Sequence, residues 1–188
     1  MHSVRYQEVI AMKYFLIRTN PQFSTAPEII DWFKQVDRRK IRLGQSFEIE
    51  NRQLFFVKES PDTVFVDVLS FPFFMVTEIL KDIILMYEPR TIFKEIVLLD
   101  QKHAKTCTYY LPILEYIDCL DAASKLTRDR STVLEAVIDL EKVGDHSIFY
   151  LEGVGNLYTV ARLDIVESFL RRNAIGMDLL PVAEKRME

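Results

Sequence analysis

The sequence predicts a mixed α+β fold in a single domain, and three observations predict it. Several short apolar segments are bounded by Pro, Asn, Asp and Gly, as strands are. Three other stretches carry apolar residues at helical spacing. The two kinds of segment interleave, but Pro and Asp interrupt some strands, which favours a mixed sheet over an all-parallel one.

Taken in order, Tyr14–Arg18 reads as the first strand, closed by a turn at Asn20-Pro21. Thr25-Ala26-Pro27-Glu28 has the form of a capping box with proline in the first turn. The helix expected behind it runs to about Asp37, burying Ile29, Phe33 and Val36, with Ile30 and Trp32 widening the stripe. Leu54–Val57 is a strand. After a Ser60-Pro61-Asp62 turn, Thr63–Leu69 reads as another, with Val64, Val66 and Val68 on one face and Phe65, Asp67 and Leu69 on the other.

Phe71-Pro72-Phe73-Phe74-Met75-Val76 feeds a helix over Glu78–Tyr87, capped by Thr77 and stopped by Pro89. Its expected buried stripe is Ile79, Leu80, Ile83, Ile84 and Tyr87. Phe93–Leu99 and Tyr109–Leu114 follow as strands, the second placed at an edge or bulge by Pro112. Ala122–Thr132 is a polar loop; Val133–Ile138 and Ser147–Leu151 are strands. Leu157–Val160, a helix over Leu163–Asn173, a turn at Gly176 and a strand over Met177–Val182 complete the chain. Phe74–Leu99 and Leu157–Val182 share one strand–helix–strand plan.

The chain of 188 residues suits one domain, read here as residues 12–188 behind an N-terminal extension at residues 1–11. With 49% hydrophobic residues it can fill a core without disulfide staples, so Cys107 and Cys119 read as reduced, buried thiols of a cytoplasmic protein. No segment has the h-region of a signal peptide or the length of a membrane span. A net charge of −4 argues against nucleic-acid binding, which needs clustered cations. The one basic knot, Arg38-Arg39-Lys40 with Arg42, reads as a solvated helix end.

Catalytic and cofactor motifs do not emerge. His2, His103 and His146 have no metal-ligand partner at helical spacing and read as surface histidines. Gly153-Val154-Gly155 precedes a strand rather than a helix, so it reads as a hairpin turn and not a phosphate loop. No metal or cofactor is therefore expected. Glu115, Asp118 and Asp121 lie three residues apart and would share one face of a helical turn. With Tyr109, Tyr110 and Tyr116 they form a candidate acidic, tyrosine-rich partner interface, since tyrosine offers large contact area with a polar tip. The alternative use of those carboxylates is to hold a divalent metal for hydrolysis. The aromatic run Phe71-Pro72-Phe73-Phe74 would suit an oligomerisation module if it were exposed, although a core strand explains it more simply.

Three segments carry a resemblance. They are Phe73–Leu80; the run from Tyr109-Tyr110 through Asp118-Cys119-Leu120-Asp121 to Ser124; and the stretch from Ala136-Val137-Ile138-Asp139 through His146–Gly153 to the last strand–helix–Gly176–strand unit. Over about residues 70–182 the chain resembles family eleven of the bacterial immunity proteins. It departs from that family's common pattern in having Pro112 after the aromatic pair and Ala161-Arg162 before the last helix. The resemblance implies a non-catalytic cytoplasmic antidote that neutralises a cognate toxin by direct contact. An acidic chain would favour encounter with a basic toxin; homo-oligomerisation is compatible with the sequence.

Overall fold

The structure, a computed structural model, describes residues 13–185; the extension read at residues 1–11 lies outside them. Strand β1 (Tyr14–Thr19) is followed by three single 3₁₀ turns at Trp32–Lys34, Arg38–Lys40 and Ser46–Glu48. Next come β2 (Arg52–Phe56), β3 (Val68–Leu69), β4 (Met75–Val76), helix α1 (Glu78–Tyr87), β5 (Ile92–Asp100), β6 (Lys105–Ile113) and β7 (Tyr116–Ile117). The rest holds β8 (Lys125–Leu126), β9 (Val133–Glu135), β10 (Val137–Ile138) and the short α2 (Leu140–Val143). It ends with β11 (Ile148–Leu151), β12 (Thr159–Arg162), α3 (Leu163–Arg171) and β13 (Met177–Glu184). The fold is the mixed α+β class that the interleaved pattern predicts.

The strands form a six-stranded sheet in the order β10-β13-β1-β12-β11-β7, a five-stranded sheet in the order β2-β5-β6-β4-β3, and a small β8-β9 hairpin. Both strand–helix–strand units are present, and their topology is the same. β4 and β5 each run antiparallel to β6, which lies between them. β12 and β13 each run antiparallel to β1, which lies between those two. Each unit is thus a parallel pair split by a third strand. Their helices pack on each other, joined at Tyr87, whose hydroxyl donates to the Asp164 carbonyl at 3.0 Å and lies 2.8 Å from Ser168 Oγ.

Alternation along the strands sorts side chains onto two cores. Ile17, Ile148, Tyr150 and Ala161 face the larger one. There they meet Phe55, Ile96, Leu98, Tyr109 and Leu111 of the five-stranded sheet, with Leu80, Ile83 and Ile84 of α1 and Ile165, Val166 and Phe169 of α3. Tyr14, Leu16, Phe149, Leu151 and Val160 face the other way, onto Cys119, Ala136, Ile138 and Val143. Ile79, expected in the buried stripe of α1, instead faces solvent.

The expected helix over Ile29–Asp37 does not form. Ile29 makes a bridge to Val57, the Ile30 N–H donates to the Phe56 carbonyl, and the Lys58 N–H donates to the Glu28 carbonyl. The segment therefore caps the free edge of β2, satisfying groups that a helix would leave exposed. Asp31 then turns left-handed at φ 55°, and only one 3₁₀ turn follows.

The strand expected over Thr63–Leu69 pairs only at Val68–Leu69. Before that, Val64 and Asp67 donate to the Thr25 and Ile175 carbonyls across loops. Thr77 stands at the N-cap of α1, but its hydroxyl donates to Asp67 Oδ1 at 2.7 Å rather than to the helix. The expected loop at 122–132 contains β8. The strand read over Val133–Ile138 breaks at Ala136, so that β9 pairs with β8 and β10 with β13. Pro112 lies within the interior strand β6, where the register to β4 is limited to Tyr110.

Candidate functional site

Glu115, Asp118 and Asp121 do not share a helical face. The chain is extended there, because β7 pairs in parallel with β11, Tyr116 opposite Tyr150 and Ile117 opposite Leu151. Glu115 and Asp118 are exposed, while Asp121 is half-buried, its Oδ1 accepting from the Ala123 N–H and its Oδ2 lying 3.8 Å from Lys185 Nζ. The shared helical face on which the metal reading of these three carboxylates rested is therefore not formed, and among the described residues no three His, Cys, Asp or Glu side chains stand close enough to share a metal ion.

The tyrosines separate too. Tyr109 is fully buried, donating its hydroxyl to the Val66 carbonyl at 2.6 Å, so it is a core residue and not part of an interface. Tyr110, on the opposite face of the same strand, is half-buried under the Lys81 ammonium, 4.1 Å from its ring centroid. Tyr116 is half-buried under Arg42, whose guanidinium carbon is 4.0 Å from the ring centroid. Burial pushes its phenol up to about 12, the Arg42 charge only partly offsetting this.

A different surface gathers around Trp32. Its ring meets Phe33, Phe71 and Phe73 edge-on at centroid distances of 6.0, 6.2 and 6.3 Å. Phe73 anchors this group in the core, whereas Phe33 and Phe71 remain 64% and 62% exposed. The aromatic run at 71–74 therefore divides, with only Phe71 outward. Arg38 lies 5.7 Å over Trp32 and Lys34 5.9 Å over Phe33. Sequence reading missed this surface because the expected helix put Phe33 in the core. The available signal was composition, since Trp32-Phe33 followed closely by Arg38-Arg39 brings together residue types that dominate binding hot spots.

From Trp32 the surface continues into an open hollow of about 160 Å³. It is lined by Arg38, Arg39, Arg42 and Tyr116 on one side and by the loop from Val154 to Leu157 on the other. That loop joins β11 to β12, which pair antiparallel, so Gly153-Val154-Gly155 is the hairpin turn expected. Three loop segments converge here. Arg38 Nη2 donates to Asn156 Oδ1 at 3.2 Å, Asn156 Nδ2 donates to the Ser131 carbonyl, and Arg130 Nε donates to the Gly153 carbonyl. The basic knot forms a single 3₁₀ turn of its own and does not end the helix expected before it. Arg39 binds Asp37, whose carboxyl is held down to about 2 by its hydrogen bonds from the Arg39 side chain and backbone. Arg42 Nη2 donates to both carboxylate oxygens of Glu152, at 2.9 and 2.7 Å.

Elsewhere, His103 Nδ1 lies 2.9 Å from Oδ2 of the fully buried Asp100, which also accepts from the Ser60 and His103 backbone N–H groups. This arrangement fastens the β5–β6 turn. His146 is half-buried, and its carbonyl accepts from the Tyr14 hydroxyl at 3.3 Å. Cys119 is buried, as expected, but Cys107 only half-buried. No helix among the described residues is long and apolar enough to cross a membrane. No protein-family model matches the chain, and no curated protein matches it either.

Proposed function

We propose that this chain is a non-catalytic cytoplasmic binding protein, an immunity protein of the family it resembles, which neutralises a cognate toxin by direct contact. The observation that carries this reading is the surface of Trp32, Phe33 and Phe71 bordered by Arg38. Two phenylalanines held outward on a half-buried tryptophan are apolar area kept in water unless something covers it. Trp and Arg are also the residues on which interface energy concentrates. A standard interface buries about 800 Å² on each partner, so contacts extend beyond these three rings. The border is basic, so the segment of toxin seated here carries acidic groups around an apolar centre. The net charge of −4 acts at longer range, on the encounter with a toxin of opposite overall charge.

The test is co-expression with the product of the adjacent reading frame, using the wild type and a Phe33→Ser/Phe71→Ser variant. Wild type should protect cells and co-purify with that product. The variant should bind at least tenfold more weakly while keeping its circular dichroism spectrum and melting temperature. Failure of the wild type to protect, or unchanged affinity of the variant, overturns the reading. A wild-type dimer by light scattering that the variant dissolves would assign the surface to a second copy of the chain instead.

A further inference from the structure

We infer that the hollow between Arg38, Arg42, Tyr116 and the Val154–Leu157 loop is an oxyanion subsite that seats one carboxylate of the partner, from an aspartate or glutamate side chain. It belongs to the interface proposed above and depends on that reading.

The local charges single out Arg38. Of the four cations in this knot, Arg39 is paired with Asp37, Lys40 with Glu48 and Arg42 with Glu152. Arg38 meets only the amide oxygen of Asn156 and the Trp32 ring, with no carboxylate among the described residues. Arg130, behind the loop, likewise meets only the Gly153 carbonyl there. Of the three guanidinium groups lining the hollow, Arg38 is thus without a carboxylate partner among the described residues. The lining residues Val154, Asn156 and Leu157 add backbone N–H groups without an acceptor among the described residues. Guanidinium forks match the planar carboxylate, and Arg42 already holds one from Glu152 in the same wall.

The lining favours an acidic side chain over a nucleoside. The Tyr116 ring that could stack a base is occupied by Arg42. Val154 and Leu157 offer apolar contact to the methylene stem of an acidic residue. Arg38 itself joins this hollow to the aromatic surface, so a chain lying on Phe33 and Phe71 can drop a carboxylate into it.

The experiment titrates the full-length protein with sodium acetate and follows arginine Nε–Hε signals by NMR, with sodium chloride at equal ionic strength as control. The Arg38 signal should shift saturably at millimolar acetate, while Arg171, an exposed arginine paired with Glu167, moves no more than in chloride. Arg38→Gln should abolish the saturable shifts of the remaining hollow residues. Chloride reproducing the wild-type shifts, or Arg171 moving alongside Arg38, overturns the subsite without any variant. Inorganic phosphate saturating at tenfold lower concentration than acetate also overturns it, in favour of a phosphate-ester site. In the toxin-binding assay, loss of affinity in the Phe33/Phe71 variant but not in Arg38→Gln sinks the subsite alone. Unchanged affinity in both sinks the interface reading, whatever acetate does.

Discussion

Gly176 offers the sharpest test of how the two sheets are joined. It follows α3, is buried, and holds φ at +75°, a region that costs a residue with a side chain about 1–2 kcal/mol. A Cβ added there would stand 2.3 Å from Val66 Cβ and 2.5 Å from its Cγ1, distances at which something must move. Val66 has nowhere to go, because it is fully buried and its carbonyl accepts from Tyr109. Overpacking of this kind costs about 1–3 kcal/mol. Gly176→Ala should therefore destabilise the fold by roughly 2–5 kcal/mol. For a chain of this size that lowers the melting temperature by roughly 4–20 °C. Urea denaturation followed by circular dichroism measures it, and Val66→Ala, which removes the two Cγ atoms, tests the steric contribution. In the double variant the contacts with the Val66 Cγ atoms are gone while the one with its Cβ remains, so the steric part should shrink and the two substitutions cannot add. A melting point for Gly176→Ala within a degree of wild type, or strict additivity with Val66→Ala, would refute the close approach.

Burial alone pushes the Asp100 carboxyl up, but hydrogen bonds from the Ser60 N–H and from His103 outweigh it and hold the group down to about 2. Its contribution is complete above the unfolded value of about 3.9 and fades as pH falls towards 2, so Asp100→Asn should flatten the loss of urea resistance over that window; an unchanged slope would contradict this. Burial lifts the Cys119 thiol to about 11, so at pH 8 its thiolate fraction is about a hundredfold below that of an exposed thiol. Iodoacetamide should label Cys119 only in urea, and fast labelling of the native chain would show that the second core opens.

What the sequence disclosed follows from which interactions were local. Helix α1 was legible to the residue, because Thr77, the apolar spacing and Pro89 all lie within it or beside it. The split strand–helix–strand units were legible as a shared plan, whereas the strand inserted into each comes from a distant segment and was not. At Ile29–Asp37 a good local helix signal lost to the demand of β2 for an edge partner. Tyr109 and Tyr110 could have been separated by period alone, since Leu111 and Ile113 lie on the same side of the strand as Tyr109. The aromatic surface had no such local signature. Phe33, Phe71, Arg38, Tyr116 and Asn156 meet only after both sheets have formed.

The exposed acids left behind on β7 admit a role that needs no partner. β7 ends the six-stranded sheet, and Glu115 and Asp118 flank it. Charges beside an open strand edge keep it from pairing with another chain. If they act as guards, Glu115→Gln/Asp118→Asn should raise self-association at high protein concentration while changing affinity for the proposed toxin by less than about fivefold, the range of exposed ion pairs. Arg38→Glu places repulsion in the middle of the proposed contact and should cost tenfold or more, because an acidic group opposite it would face a like charge. Sedimentation velocity reads the first effect and surface plasmon resonance the second, on the same two proteins. A tenfold loss from the acidic pair with Arg38→Glu unaffected would move the contact surface to β7, and the aromatic cluster around Trp32 would then have to be explained as packing alone.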